Sequence, residues 1–440
     1  MDHGDDGRRL PANRRGWPFW AAVGTVAALL LCTAPVVAGV LLFDRVSGAI
    51  DSGAAAPARS PRPGDPATVT RDWLGERMTE LLGRQSAALL RGDEAGYLAV
   101  ADPAAAGGGE LARELRRQFR SLRAMRVTQW RVELRGQPVR MEKPGQWQAL
   151  FTVHHCFVTP DCAPAALTVT TRWADAAGQP RLVAIEPSTA DDRPRPWEAS
   201  DLVVSVGERV LVATTRTYRQ RLPELLAQAE RAAGVADRYA VDGSPPERYR
   251  VFYAGPAEWT RWYGGDRPEW TAGYAVTVGA DQYDVVLNSK GLDDSQLDEL
   301  LRHELTHAAS LPGAKQAGGD AWWLIEGVAE NAAAGGRPVD RYESLSEVAR
   351  VLADGDWNGE LDDVLPAVDA PDWQVAGTYG IGYLAVRHLV DRYGEPDVLE
   401  FFAQVVHEGR PEDEAARQVF GTSWSTLHDD CVAYVREIAG

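Results

Sequence analysis

The sequence predicts an α+β protein in which two folded domains follow an N-terminal transmembrane helix. Three observations lead to this prediction. Residues 17–43 contain no charged side chain. Residues 69–198 show helical periodicity followed by alternating stretches typical of antiparallel strands. Residues 199–440 begin with strand-like stretches and continue with the 3.6-residue periodicity of helices.

Length and composition agree with two domains and exclude some classes of protein. The chain has 440 residues, more than one ordinary domain needs, and 45% of them are hydrophobic, which is too many for a disordered protein. The formal net charge is −17, and the sequence has no cluster of Lys and Arg of the kind that nucleic-acid phosphates require. We therefore expect no nucleic-acid partner.

The uncharged run at 17–43 is long enough to cross a membrane. At about 1.5 Å rise per residue, a helix of its 27 residues exceeds a hydrocarbon core of about 30 Å. Four arginines precede the run, so the positive-inside rule places residues 1–16 in the cytoplasm. A cleaved signal peptide is the alternative, but its apolar region is usually about 7–15 residues long. We expect a single-pass plasma-membrane protein with an extracellular main part.

Residues 44–68 are rich in Ala, Pro, Gly and Ser, which predicts a flexible linker. The domain that follows, 69–198, has helices first and a strand meander second. This element order resembles the cone-shaped nuclear-transport-factor-like fold, a likeness of topology that assigns no function. We interpret this part as an accessory α+β domain.

Two of the cysteines lie close together in the accessory domain. Cys156 and Cys162 flank a Pro-Asp turn signal, and an oxidising extracellular space would allow a disulfide between them. The alternative is a second metal site that also uses His154 and His155. Adjacent strand residues point to opposite faces, which makes shared coordination by both histidines difficult. Cys431 is left as an unpaired, buried cysteine.

The segment GLDDSQLDELLRHELTHAAS carries the strongest chemical signal. Asp293, Asp294 or Ser295 can cap a helix whose leucines recur at helical spacing. His303 and His307 are four positions apart, so one helix face presents both imidazoles to one point, as a catalytic zinc site requires. Glu304 follows the first histidine and can accept a proton from water at the metal without being a ligand.

A third ligand is predicted from the segment AWWLIEGVAE. Glu326 follows His307 after eighteen residues, on a second helix whose apolar residues would bury it beside the first. Glu330 lies four positions later on the same face and can accept a hydrogen bond from a ligand histidine, which would fix the orientation of the ring. The sequence therefore predicts two helices that share one metal ion.

These two segments together resemble the gluzincin metallopeptidases, typified by thermolysin and the aminopeptidase N family. HELTH followed by WLIEGVAE is more closely similar to exported "peptidase MA-like" proteins with a W-L-x-E-G-x-A-E signature, over residues 285–395. The resemblance implies one Zn²⁺ per chain, held by His303, His307 and Glu326, with Glu304 as the general base.

The resemblance also has implications for fold and substrate. It implies a thermolysin-like zincin domain over 199–440, with a small sheet and a mostly helical C-terminal half. Such enzymes have an edge strand that pairs with extended substrate, and VVLNS at 285–289 occupies the corresponding part of this sequence. We therefore expect a peptide or protein as the substrate.

A hydrogen-bond donor for the transition state is also expected, and three residues compete for this role. Tyr379 lies in TYGIGYLAVRHLVDRYG, and its Tyr-x-x-G context resembles the transition-state tyrosine segment of aminopeptidase N relatives. Tyr383 lies one helical turn later, and His388 follows Glu326 at roughly the distance of a catalytic histidine in thermolysin-like enzymes. Tyr379 is our candidate, and packing roles are the alternative for all three.

The expected activity is peptide-bond hydrolysis at the outer face of the membrane. No G-x-M-E-N segment precedes the histidines, and this element binds the free amino terminus of the substrate in aminopeptidase N relatives. We therefore expect an endopeptidase. Two alternatives remain open: a catalytically silent, peptidase-like binding module stabilised by zinc, or a main function in the 69–198 domain as the binding site for a small ligand or cell-wall component.

Overall fold

A computed structural model describes most of the chain. It covers residues 59–101, 109–176, 179–186, 194–265, 267–279, 282–316 and 319–440. The predicted cytoplasmic tail and membrane helix, 1–16 and 17–43, lie outside these ranges, as does most of the predicted linker at 44–68. Within the described ranges, none of the helices is both long and apolar enough to span a membrane. The anchor stays a prediction.

The first sheet is an antiparallel meander of four strands with helices before it in the chain. The strands are β1 Val127–Arg140, β2 Gln146–Phe157, β3 Ala165–Ala176 and β4 Gln179–Glu186, and the helices are α1 Ala67–Arg91, α2 Glu94–Leu98 and α3 Glu110–Ala124. The helix-then-meander prediction for this region is confirmed. Helix α1 begins two residues before the predicted domain start, directly after Pro66, because a proline can precede a first turn whose amides need no helical partner.

The second sheet is mixed and has five strands in the order β5-β6-β7-β9-β8. Its strands are β5 Leu202–Val206, β6 Val210–Thr215, β7 Tyr249–Ala254, β8 Gly273–Gly279 and β9 Gln282–Asn288. Strands β6, β7 and β9 are parallel, whereas β5 and β8 run antiparallel to their neighbours at the two edges.

The prediction that residues 285–289 form an edge strand is wrong. These residues belong to β9 and its end, and β9 is flanked by β7 on one side and β8 on the other. Strand β8 was not predicted from the sequence; it pairs antiparallel with β9 on the side away from β7. The edge of the sheet on this side is therefore formed by β8, Gly273–Gly279.

Helices dominate the C-terminal half, as predicted, and the α+β class is confirmed. The remaining helices are α4 Pro196–Ala199, α5 Leu222–Ala236, α6 Pro256–Trp259, α7 Asp294–Ser310, α8 Trp322–Ala334, α9 Leu345–Asp354, α10 Asp372–Tyr393, α11 Glu395–Phe402, α12 Glu412–Val419 and α13 Trp424–Ala439. Apart from α4 and α6, these helices enclose one large apolar core, which includes one face of the five-stranded sheet.

The other face of the five-stranded sheet packs on the first domain. Trp197 in α4 is fully buried between Phe157 of β2 and Phe252 of β7, with ring centroids 5.3 Å and 6.4 Å away. These aromatic rings belong to a second apolar core that runs from the first helices into the five-stranded sheet. The two sheets are thus joined by a shared core, and the predicted boundary at 198/199 falls inside α4, before its last residue.

Candidate metal centre

Helix α7 carries the two histidines, and its start is set by a capping box. Asp293 accepts hydrogen bonds from the backbone amides of Ser295 and Gln296, and the Gln296 side chain accepts one from the Asp293 amide. The predicted leucine face is buried, which turns the helix so that His303, Glu304 and His307 are also buried. Asp293 is therefore the cap among the three predicted candidates.

Helix α8 packs closely on α10, and this packing brings Glu326 next to His303 and His307. A Cβ atom on Gly327 would lie only 2.4 Å from the carbonyl oxygen of Gly382, so the two helix backbones touch where neither residue has a side chain. Glu326 precedes this contact and is fully buried. Close packing therefore requires glycine at position 327 in the IEGVAE segment, since a larger residue would push Glu326 away from α7.

Three side-chain atoms converge at this point. The Nε2 atoms of His303 and His307 are 2.9 Å apart, and Glu326 Oε2 lies 3.1 Å and 3.2 Å from them. Ligands at about 2.0–2.1 Å from a tetrahedral Zn²⁺ would be separated by about 3.3 Å, close to the observed distances. Within the described ranges, this is the one group of His, Cys, Asp and Glu side chains near enough together to hold a metal ion.

The electrostatics of this group also favour a cation. Burial opposes protonation of His303, but hydrogen bonds to Glu326 and Glu330 outweigh it and raise the pKa of His303 to about 10. Burial likewise opposes ionisation of Glu326, yet the neighbouring His307 and His303 lower the pKa of Glu326 to about 2. Burial lowers the pKa of His307, so this ring is neutral and able to act as a ligand. Glu326 Oε1 and His307 Nδ1 are buried without a hydrogen-bond partner. The side chains present fit a Zn²⁺ ion with an open fourth position.

Glu330 lies behind the first histidine, where the sequence predicted it. Its Oε1 is 3.1 Å from His303 Nδ1, and its Oε2 accepts a hydrogen bond of 2.9 Å from the Tyr342 hydroxyl. Tyr342 in turn stacks on Tyr383, with ring centroids 4.1 Å apart. Tyr342 was missed in the sequence because it lies in a connection with no periodic pattern, and no motif pointed to it.

Glu304 lies on the side of α7 that faces the edge strand. An added Cβ on Gly273, the first residue of β8, would be 2.8 Å from Glu304 Oε1 and 3.0 Å from Leu300 Cδ1. The Glu304 carboxylate thus occupies the space that a side chain at position 273 would need. Gly273 is a second residue that the sequence analysis missed, since β8 itself was overlooked.

The outer side of strand β8 lies next to Glu304 and is largely covered, since Gly273 and Ala275 are buried and only Thr277 is exposed. The amide of Asn288 donates to the carbonyl of Ala272, and bonded and non-bonded pairs alternate along an antiparallel ladder. The N–H and C=O groups of Gly273, Ala275 and Thr277 therefore point away from β9. Within the described ranges no strand pairs with this side of β8. An extended peptide can add to an unpaired strand where it is accessible, which in β8 is at Thr277.

The three candidate transition-state donors have different positions. Tyr379 is buried near the candidate metal-binding group formed by His303, His307 and Glu326. Its ring centroid lies 6.2 Å from that of His303 and 4.8 Å from that of Trp322. Tyr383 packs on Tyr342 instead. His388 is nine residues after Tyr379, two and a half turns later, and so projects from the opposite side of α10.

Close packing holds Tyr379 at this place. Gly377 and Gly380, on either side of it, lie against α9, where a Cβ would meet the side chains of Val351 and Val348 at 2.5 Å and 2.4 Å. Because they have no side chains, Gly377 and Gly380 allow α10 to pack closely on α9, and this packing directs Tyr379 toward α7. His388 stacks on Tyr434 of α13, with ring centroids 4.7 Å apart.

The predicted disulfide is present in the structure, where Cys156 and Cys162 are bonded to each other. Of the two adjacent histidines, His154 has its Nε2 atom 3.4 Å from Glu133 Oε2, and His155 is buried among aromatic rings. Burial lowers the pKa of His155 to about 3, so this ring is neutral. This arrangement does not form the alternative second metal site. Cys431 is free and buried.

Comparison with known proteins gives structural likenesses at low identity. No protein-family model and no curated protein matches the sequence. The fold is similar to native yeast LTA4 hydrolase, with a TM-score of 0.36 and 12% identity over 68% of this chain and 43% of that one. It is also similar to an M1 zinc metallopeptidase from Deinococcus radiodurans, with a TM-score of 0.32 and 16% identity over 70% of this chain and 61% of that one.

These solved structures are zinc metallopeptidases or a related hydrolase by name. The chain spans less than two thirds of the length of either one. At these TM-scores the function has to be argued from the side chains of the site, and the closer resemblance to exported peptidase MA-like proteins stays a prediction.

Proposed function

We propose that this protein is a zinc-dependent peptidase that hydrolyses peptide bonds. The observation that carries the proposal is the convergence of His303, His307 and Glu326 within 2.9–3.2 Å of one another, beside a buried Glu304. A structural role alone would not explain three buried ionisable groups that leave Glu326 Oε1 and His307 Nδ1 without hydrogen-bond partners, because buried polar groups are normally satisfied.

Each residue has a distinct part in the proposed reaction. His303, His307 and Glu326 would hold a zinc ion, which when bound would lower the pKa of a coordinated water from about 15.7 toward about 7 and polarise the scissile carbonyl. Glu304 accepts the proton of the attacking water and passes it to the leaving nitrogen. Glu330 fixes the ring of His303 through Nδ1, so that Nε2 faces the metal. The Tyr379 hydroxyl donates a hydrogen bond to the developing oxyanion.

The edge strand supplies a place for the peptide backbone. An extended substrate can pair with the outward N–H and C=O groups of the exposed Thr277, whereas pairing at the buried Gly273 and Ala275, next to Glu304, requires this part of the edge to open. The sequence of β8, GYAVTVG, contains no acidic residue that would bind a free amino terminus. We therefore propose endopeptidase action on extended stretches of peptides or proteins.

The proposed location follows from the N-terminus. An uncleaved helix at 17–43 would hold the folded part at the outer face of the plasma membrane, with residues 1–16 in the cytoplasm. Protease accessibility of intact cells tests this arrangement, because an external protease should remove the folded part and leave the N-terminal tail protected.

Metal analysis together with cleavage of an unstructured protein tests the proposed activity. We expect about one zinc per full-length chain, and cleavage that chelation abolishes and added zinc restores. Glu304→Gln should keep the zinc and lose turnover by at least about a thousandfold, since it removes the proton acceptor but no ligand. Asp298→Asn on the same helix is the matched control and should cleave normally.

Two results would contradict the proposal. Folded protein that contains no metal in zinc-replete buffer would exclude the metal centre. Zinc-containing wild type that cleaves no better than Glu304→Gln would leave the binding-module alternative as the better explanation.

A further inference from the structure

A groove of about 460 Å³ follows strand β5, which forms the edge of the five-stranded sheet opposite to β8. Residues 202–205 of β5 line it along its length. Ala124, the last residue of α3, lines it on one side, and Leu222 and Pro223 at the start of α5 line it on the other. Among the described residues, no strand pairs with β5 on this side. The groove therefore lies where a further strand would add to the sheet.

Backbone groups of β5 point toward this groove. In the hairpin between β5 and β6, the Gly207 amide donates to the carbonyl of Val210, and bonded and non-bonded pairs alternate along an antiparallel ladder. The N–H and C=O groups of Leu202 and Val204 therefore point away from β6. The Leu202 amide agrees with this direction, because it donates to the Ser121 hydroxyl of α3.

The open part of this edge starts at Val204. Ser121 occupies the position opposite Leu202, whereas Val204 and Val206 are half-buried and their outward backbone groups follow further along the strand. Edge strands are commonly protected against pairing by a charged residue or a proline, and the strand sequence LVVSV contains neither. An extended segment can therefore add here through the backbone groups of Val204 and Val206.

Arginines lie around this groove, although the formal net charge of the chain is −17. Arg219 lines the groove and is exposed. At the start of β5, Arg120 and Arg216 share a single carboxylate, with Arg120 Nε 3.1 Å from Asp201 Oδ1 and Arg216 Nη2 4.0 Å from Asp201 Oδ2. Three guanidinium groups thus face one acidic side chain, and this excess of positive charge favours an acidic partner.

The other acidic side chains nearby do not cancel this charge. Glu224 already pairs with Arg221 at 3.0 Å, and Glu208 lies at the far end of β5, in the hairpin turn. The same charge disfavours a second copy of this chain as the partner, because two β5 edges that paired with each other would bring like charges together.

We propose that the β5 groove binds an extended acidic segment of another protein, which adds to the five-stranded sheet as a further strand. The backbone of this segment pairs with Val204 and Val206, and an acidic side chain pairs with Arg219. Its remaining side chains alternate between the Ala124 side and the Leu222 side of the sheet, where small apolar residues fit. The site is at the opposite edge from β8 and does not depend on peptide hydrolysis.

Fluorescence anisotropy with a labelled EVEVEV peptide and full-length protein tests the proposal. The protein carries Glu304→Gln, so that the proposed peptidase activity does not consume the probe. We expect a Kd on the order of 0.1 mM, since a short segment gains few hydrogen bonds and loses conformational freedom on binding. A KVKVKV peptide should bind at least about tenfold more weakly, because its charges repel the arginines.

Methylated peptides test the strand pairing. One EVEVEV peptide is N-methylated at its valines and a second at its glutamates, and both keep the full negative charge. Alternate residues of a strand direct their N–H groups to the same side, so only one of the two peptides loses the donors that face β5. That peptide should bind at least about tenfold more weakly, and the other should bind like the unmodified peptide.

Variants assign the binding to the groove. Val204→Pro removes an outward amide from an edge strand, a position where a fold tolerates proline, and should weaken binding at least about tenfold. Arg219→Gln should weaken it about 3–10-fold. Thr277→Pro makes the same change at the opposite edge, and Arg231→Gln removes an arginine whose side chain is 63% exposed outside the groove. Both controls should bind like wild type.

Several results would overturn the proposal. No binding at about ten times the expected Kd is the first. Equal binding of both methylated peptides would show attraction to any polyanion without strand pairing. Binding that Thr277→Pro abolishes and Val204→Pro retains would place the peptide on β8. A dimer that Val204→Pro separates, with no peptide binding, would make β5 a self-association edge. If Val204→Pro does not fold, unchanged binding by Arg219→Gln refutes the proposal by itself.

Discussion

Gly273→Ala should disable the proposed chemistry while leaving the fold intact. The added methyl group would lie 2.8 Å from Glu304 Oε1, whereas ordinary van der Waals contacts begin at 3.4 Å, so 3.4 − 2.8 = 0.6 Å of movement is needed. The nearest atom is the far end of a flexible side chain, so the Glu304 carboxylate is the group that moves. The backbone of β8 and the metal ligands stay in place.

The size of the effect follows from the displacement. Misplacing a reacting group by about 1 Å can reduce the rate about a hundredfold, so a shift of about 0.6 Å should lower kcat/KM by about 10–100-fold. The unfolding midpoint should change little. Zinc content should match wild type, because His303, His307 and Glu326 do not contact position 273.

Peptide-cleavage kinetics with zinc analysis and thermal unfolding measure all three quantities. Gly234→Ala in α5 is the matched control, since an added Cβ at that position meets no atom within 4 Å. Full activity of folded, zinc-loaded Gly273→Ala would show that the observed contact between Glu304 and β8 is not part of the reactive arrangement. Loss of zinc from this variant would refute the claim that Glu304 can move without disturbing His303, His307 and Glu326.

Three further predictions concern single side chains. Tyr379→Phe should lower kcat at least about tenfold with normal zinc content, because an oxyanion donor is lost; unchanged kcat would rule out this role. Glu330→Gln should weaken zinc affinity about 10–100-fold in a competition titration with a chelator, because the ring of His303 loses its charged partner; equal affinity would contradict the arrangement. Burial, with help from nearby Asp362, raises the pKa of Glu412 to about 8, so the folded state holds a proton that the unfolded state releases above about pH 4.5. Folding stability should therefore fall as pH rises from about 5 to 8, and Glu412→Gln should reduce this fall; the same pH dependence in both proteins would refute the assignment.

The sequence predicted the regular elements that have strong periodic patterns. Helix α7 was recognised from its capping residues and its leucine spacing, and the meander was recognised from alternation. Strand β8 was overlooked because GYAVTVG is short and begins and ends with glycine, which weakens a strand pattern. The edge strand was consequently assigned to 285–289, although residues of that type also suit a strand paired on both sides.

For the candidate site, spacing predicted the three candidate ligands but did not decide which side chain of α10 faces them. The relation of His303 to His307 follows from helical geometry alone. The choice among Tyr379, Tyr383 and His388 required the packing of α10, because the backbone contact at Gly327 and Gly382 sets which side of α10 faces the metal-binding group.

The sequence alone predicted the members of the candidate metal-binding group, because two of them have a fixed relation within one helix and the third has a recognisable spacing. The packing of helices and sheets set what surrounds that group: strand β8 next to Glu304 and the support of Glu330 by Tyr342. These features join residues far apart in the chain, and their contacts depend on how helices and sheets pack. Periodicity along one segment carries no information about such packing.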